Sequence, residues 1–182
     1  MNKKRWVVII LVLVMTAGLS GAEQKSYEIF DESLGIQFGQ ISGTGLSWQK
    51  RFGDDALQVA LGIMYSGDPS LYLSILNYTV GLEYQHTLYG DDFANWLGGQ
   101  IYLFAGFNHS GFIDWNDDRT AAKPIEFIYA LGGGIGVEVL LFKHFSVPVE
   151  CGYAAYWNPS KVGILQQLYI DLFVQAGLRY RF

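Results

Sequence analysis

The sequence predicts an all-β fold, an eight-stranded antiparallel up-and-down transmembrane β-barrel. Three observations predict it. A four-residue pattern recurs four times, as GLSW at 45–48, GLEY at 81–84, GVEV at 136–139 and GLRY at 177–180. Apolar and polar residues alternate through most of the chain, the period that puts successive side chains on opposite faces of a strand. Several of these runs exceed the ~9–11 residues that a tilted strand needs to cross a bilayer.

Residues 1–22, MNKKRWVVIILVLVMTAGLSGA, stand before this pattern. Lys3, Lys4 and Arg5 give a basic start, Val7 to Met15 an unbroken apolar run, and Ser20-Gly21-Ala22 a small-residue end. This reads as a secretory signal cleaved after Ala22. The run is short for the ~20 residues of a membrane helix, which argues against a retained anchor. Residues 23–34 follow as a short N-terminal segment, and 35–182 form the barrel. Removing the leader keeps all seventeen acidic residues but only nine of twelve Lys and Arg, so the formal charge moves from -5 to about -8. An acidic exported chain is a poor nucleic-acid binder. The one cysteine, Cys151, excludes an intramolecular disulfide and the cysteine-rich zinc sites.

The strands are expected in order at 35–42, 44–52, 55–65, 71–87, 95–108, 125–139, 144–157 and 166–182. The first is polar and glycine-rich (GIQFGQIS), so its pattern leaves the register open. The second carries the first GLSW copy and runs into RFGDD, a turn that leads to the third. In the fourth, Leu76, Tyr78, Val80, Leu82 and Tyr84 oppose Asn77, Thr79, Glu83 and Gln85. In the fifth, Leu97, Ile101, Leu103 and Phe107 oppose Gln100, Tyr102, Gly106 and Asn108. The sixth opposes Val137 and Val139 to Glu138. The seventh holds Pro148, which removes a ladder hydrogen bond unless it marks a bulge. The eighth sets Leu172, Val174, Ala176, Leu178, Tyr180 and Phe182 against Asp171, Gln175, Arg179 and Arg181. Short turns fall at 53–54, 88–94 and 140–143, and loops at 42–44, 66–70, 108–124 and 158–165.

Either face of such strands could look inward. Apolar residues punctuate the polar face, which leaves a water-soluble sandwich open on pattern alone. Strand length, the even strand count, and aromatics near strand ends (Trp48, Phe52, Tyr84, Phe107, Phe182) favour a membrane barrel. Lipid cannot satisfy an open sheet edge, so the first strand must pair with the last. The interior then receives Arg51, Glu83, Glu126, Glu138, Glu150, Asp171, Arg179 and Arg181 as a charge network. Bulky Tyr102, Tyr169 and Phe173 join them, with room made by small residues such as Gly62, Gly81, Gly106, Gly136, Gly152 and Ala154.

From residue 35 to the closing GLRYRF, the chain resembles the small bacterial outer-membrane β-barrel proteins, the OmpA/OmpX-like and opacity-type porin-fold group. The resemblance implies that Leu178, Tyr180 and Phe182 form the C-terminal insertion signal read by the barrel-assembly machinery. It also implies a Gram-negative-type cell outer membrane, with outer-membrane lipid around the barrel and both termini periplasmic. The loops at 42–44, 66–70, 108–124 and 158–165 would then face outward, and 42–44 is too short to be a binding loop. Within 108–124, Phe112, Ile113 and Trp115 beside acidic residues are the candidate contact for an extracellular or membrane partner.

Some barrels of this size modify lipids, and a lipid A deacylase of this class uses a His, Ser and Glu set. The nearest set here is His109, Ser110 and Glu126. Adjacent strand residues point to opposite faces, so His109 and Ser110 do not make a nucleophile–base pair. His86 and His144 read as turn or interface residues. Asp114, Asp117 and Asp118 lack the spacing of a calcium loop. GGGIG at 132–136 lacks the strand–loop–helix context of a phosphate loop. No catalytic residue, metal ligand or cofactor is assigned. The expected function is a non-enzymatic barrel with a structural or surface-interaction role. A narrow passive channel, a lipid-modifying barrel enzyme and a secreted soluble ligand-binding barrel are the alternatives.

Overall fold

A computed structural model describes residues 29–68, 73–116, 126–159 and 167–182 of the 182-residue chain. The signal sequence expected at 1–22 lies outside the described residues. Eight strands follow one another in the order β1 Glu32–Phe38, β2 Gly45–Phe52, β3 Asp55–Asp68, β4 Leu73–Ala94, β5 Leu97–Asn116, β6 Glu126–Leu141, β7 Phe145–Trp157 and β8 Leu168–Arg181. Each pairs antiparallel with the next, and β1 pairs with β8, so the sheet closes on itself. Closure leaves no row of unpaired strand amides and carbonyls.

The open register of the first strand is resolved by its two neighbours. Ile36 sits opposite Leu46 on one side and Leu178 on the other, and Gln37 opposite Gly45 and Gly177. That places Leu34, Ile36 and Phe38 outward and buries Ser33 and Gln37. The strand starts at Glu32 and ends at Phe38, so the expected boundary of 35–42 shifts toward the N-terminus. Residues 32–34, expected in a segment before the barrel, belong to its wall. Lys50 fixes this start, reaching Asp31 and Glu32 at 2.8 Å each. Its hydrogen bond holds the Asp31 carboxyl below its ordinary pKa.

Two strands are much longer than expected. The predicted turn at 88–94 is strand, because the β4–β5 ladder absorbs register shifts at Thr87/Tyr89 and Asp92/Ala94. The first shift puts Leu88 and Tyr89 both outside, which restores the alternation that LYGDDF breaks. Residues 108–116, predicted as the start of a long loop, continue β5 against Leu73–Gly81 and Glu126–Ala130. Pro148 is not at a bulge. The β7–β8 register is the same on both sides of it, and the ladder lacks its pairs at Val147 and Pro148.

Polarity is inverted relative to a soluble domain. Large apolar side chains cover the outside all the way round: Ile63 is 77% exposed, Ile170 71%, Leu46 68% and Val174 66%. Trp48, Phe52, Tyr84, Phe107 and Phe182 are all exposed. Gln58, Glu83, Gln100, Glu138, Glu150 and Arg179 are instead buried within the barrel. The glycine of the third repeat copy accounts for one tight interior contact. A Cβ on Gly136 would clash with the ring of Tyr102, which lies fully buried opposite it.

Gly136→Val should therefore displace Tyr102 and lower folding stability by about 1–3 kcal/mol, the range for overpacking. Urea unfolding in lipid vesicles measures this, with Val137→Ala on the outer face as the control. Equal losses for the two would remove the slot from the account.

Candidate functional site

The interior is built in tiers along the barrel axis. Nearest the terminal end, Glu138 lies between two guanidinium groups. Arg179 reaches its Oε1 at 3.2 Å and Arg51 its Oε2 at 3.8 Å. Arg51 also donates to Thr87 Oγ1 at 3.0 Å, Gln100 donates to Glu138, and Arg179 donates to Gln58. Arg181 donates to the Phe30 carbonyl at 2.9 Å, drawing the segment before β1 across this end.

The next tier holds two carboxylates, Glu83 and Glu150, bridged by amides. Gln175 Nε2 donates to Glu83 Oε2 at 2.9 Å and to Glu150 Oε2 at 2.6 Å. Gln85 Nε2 donates to Glu83 Oε1 at 2.6 Å and lies 3.3 Å from Glu150 Oε1. Tyr102 donates its hydroxyl to Glu150, and Gln49 donates to Gln85 at 2.7 Å. Four strands thus meet at one pair of carboxylates.

Above this tier the β1–β2 connection, residues 39–44, folds into the lumen. Ile41 and Ser42 are completely buried. Both backbone amides donate to Gln175 Oε1, at 3.2 and 3.3 Å. Asn108 Nδ2 donates to the Gln40 carbonyl at 2.8 Å, and the Tyr156 hydroxyl donates to Gln40 Oε1. Ile41 packs with Tyr102, Phe104, Ala154, Tyr156 and Phe173 in an apolar cluster across the bore. Gly81 lets the connection pass, since a Cβ there would strike the backbone of Ser42 and Gly43. The connection expected as a short outer loop at 42–44 instead turns inward and plugs the bore.

Beyond the plug the barrel opens into a cup of about 480 Å³. Tyr169 and Tyr156 stack at its side, ring centroids 4.8 Å apart and planes 13° from parallel. Asn77, Thr79, Ser110, Phe112, Ile128 and Asp171 also line it.

Six of the eight charges expected in the interior are buried there: Arg51, Glu83, Glu138, Glu150, Arg179 and Arg181. Glu126 and Asp171 are not. Glu126 is half-buried at the loop end and Asp171 is exposed at the cup, because β6 and β8 carry them past the sealed section. Leu178 and Tyr180 lie on the outer face facing Ile36 and Leu34, and Phe182 follows them, its amide donating to the Glu32 carbonyl at 3.0 Å. Of the expected partner loop, Phe112 is a strand residue that lines the cup, while the side chains of Ile113 and Trp115 lie outside the described residues. So do Asp117 and Asp118.

Ser110 lines the cup, whereas His109 bonds Tyr78 at 3.0 Å and stacks on Tyr129 at 4.8 Å. His86 bonds Asp55 at 2.8 Å, and His144 stacks on Tyr180 at the terminal rim. Cys151 is exposed on the outer face. The residues that sequence reasoning passed over are the buried glutamines and the plug. Gln85, Gln100 and Gln175 stood on the polar faces, but nothing in the alternation marks a six-residue connection as turning inward.

No protein-family model matches the chain, and no curated protein matches it. Among solved structures it is similar to one titled the crystal structure of the N-terminal beta-barrel domain of Pseudomonas aeruginosa OprF. The identity is 14% and the TM-score 0.48, over 83% of this chain and 94% of that one. Strand count and closure are read from this chain's own pairing.

Glu138→Gln strands two buried guanidinium groups and should cost about 3–5 kcal/mol, as breaking a buried ion pair does. Arg179→Met should also destabilise strongly, and the Glu138→Gln/Arg179→Met double variant should lose less than the two single changes together. Urea unfolding of the four-member cycle measures the coupling; strict additivity would mean that the pair does not act as a unit.

Proposed function

We propose that this chain is a non-enzymatic integral outer-membrane barrel with a structural or surface-interaction role. The observation that carries the reading is the inverted polarity of a closed sheet. A belt of exposed Leu, Ile, Val and aromatic side chains surrounds a wall whose interior is glutamine, carboxylate and guanidinium. Water would penalise that belt over far more area than the few hundred Å² that soluble monomers leave as an apolar patch. Hydrocarbon accepts it, and closure satisfies the backbone there. Outer membranes are the setting in which such barrels insert, and Leu178, Tyr180 and Phe182 supply the alternating apolar end expected of their last strand.

The plug argues against a channel. Ile41, Phe104, Tyr156 and Phe173 fill the bore, and the Glu83–Glu150 tier closes it again below. The separation of Ser110 from His109 on opposite faces argues against a serine hydrolase. A soluble ligand-binding barrel would need an apolar cavity within, where this one places charges.

Heat-modifiability on gels tests the reading directly. The extracted protein should migrate faster unboiled than boiled, and deleting Phe182 should reduce the fast-migrating fraction. Val174→Arg, near the middle of the outer face, should cost about 2–4 kcal/mol in lipid. Soluble recovery without a mobility shift would sink the membrane assignment, and steady conductance in planar bilayers would replace the sealed barrel with a channel.

A further inference from the structure

We propose that the cup at the loop end of the barrel is a carbohydrate-binding site that takes one or two neutral sugar rings. A pyranose has apolar C–H faces and a rim of hydroxyls. It needs an aromatic platform with fixed hydrogen-bonding groups beside it. The cup supplies both. Tyr169 is 51% exposed and is held flat by the nearly parallel ring of Tyr156, which is itself 6% exposed and anchored to Gln40. A ring backed in this way loses little freedom when a ligand lies on it. Phe112 adds a second aromatic surface.

The polar groups are of the matching kind. The side chains of Asn77 and Ser110 and the Tyr169 hydroxyl make no hydrogen bond to another described residue, and Asp171 accepts one from the Leu172 amide through Oδ1, leaving Oδ2. An amide, two hydroxyls and a carboxylate oxygen offer both donors and acceptors to sugar hydroxyls. Charge narrows the class further. Among the described lining residues there is no Lys or Arg, and Asp171 is the single charged group. Among these lining residues a phosphate or acidic ligand finds no counter-charge, and a lone carboxylate does not make a cation site. A purely apolar ligand would strand the amides and hydroxyls.

Size and rigidity agree. About 480 Å³ falls within the roughly 300–1,000 Å³ of small-molecule pockets. The floor is fixed, because Asn108 links the wall to the plug through Gln40 and to Thr79 at 2.9 Å. The cup therefore does not depend on ligand for its shape. Its geometry stands without the membrane reading; only access to glycans outside the cell rests on that reading.

The test is titration calorimetry on the full chain folded in an amine-oxide detergent, which carries no sugar headgroup. Maltose, lactose and N,N′-diacetylchitobiose are the probes, and each sample is first checked for a heat-dependent mobility shift. At least one disaccharide should bind in the millimolar range or tighter. Tyr169→Ala should weaken it by about tenfold, the scale of one aromatic contact. Tyr169→Trp should keep binding, and Asp171→Asn should weaken it several-fold without altering the mobility shift.

Competition then separates two sources of the same chemistry. Lipopolysaccharide with its full sugar chain displacing the disaccharide, where the truncated form does not, assigns a membrane-attached glycan. Failure of both to compete assigns free sugar, and either result keeps the site. No binding by a sample that shows the mobility shift overturns the proposal, as does binding that Tyr169→Ala leaves unchanged. Sugar binding by a protein without the shift keeps the cup and removes the membrane reading instead.

Discussion

The closing seam between β1 and β8 governs the rest of the molecule. A sheet whose outer face is apolar can sit in hydrocarbon only if every strand amide and carbonyl is paired within it. In the proposed membrane setting that requirement falls on seven residues of β1, which must satisfy β2 on one side and β8 on the other. Gly35 permits the approach, since a Cβ there would strike the backbone at Leu178 and Arg179. Once the seam is made, alternation does the sorting. Leu34, Ile36 and Phe38 continue the apolar belt formed by Leu178, Tyr180 and their neighbours, while Ser33 and Gln37 turn inward with Gln175 and Arg179.

An eight-stranded barrel leaves room only for side chains, so its polar interior has to satisfy itself. Glutamine suits that task. It donates and accepts without carrying charge, and so spares the desolvation cost of another ion. Gln175 shows the economy of the arrangement. Its nitrogen serves both Glu83 and Glu150, and its oxygen takes the amides of Ile41 and Ser42. One side chain therefore couples the carboxylate tier to the plug. Glu138 plays the corresponding part near the termini, where Arg51 and Arg179 converge on it.

Much of this was legible because strand alternation has a period of two and a barrel preserves it around the wall. The inward positions of Arg51, Glu83, Glu138, Glu150, Arg179 and Arg181 follow from parity alone. Parity does not give depth, which is why Glu126 and Asp171, on the correct side of their strands, lie beyond the sealed section. Two bulges explain another gap. LYGDDF has the composition of a turn, and only pairing with Leu97–Tyr102 makes it strand. Residues 108–116 were masked in the same way by Asn, Ser, Gly and Asp. The plug was illegible for a different reason. GQISGT has turn composition, and what draws it inward is its fit to Gln175, Asn108 and Tyr156, residues 64 or more positions away in the chain.

The plug also decides where a partner can be met. With Ile41, Phe104 and Phe173 packed across the bore, each end becomes a separate surface. The terminal end is occupied by its own chain, with Arg181 on the Phe30 carbonyl and Lys50 between Asp31 and Glu32. The loop end differs in kind. There the wall rises past the plug as β4, β5 and β6, and what would be the upper half of a channel becomes a rigid cup with a fixed floor. The β1–β2 connection therefore does more than fill the bore: by supplying a base for Tyr156 and Asn108, it makes the remaining lumen a recess shaped in advance of any ligand.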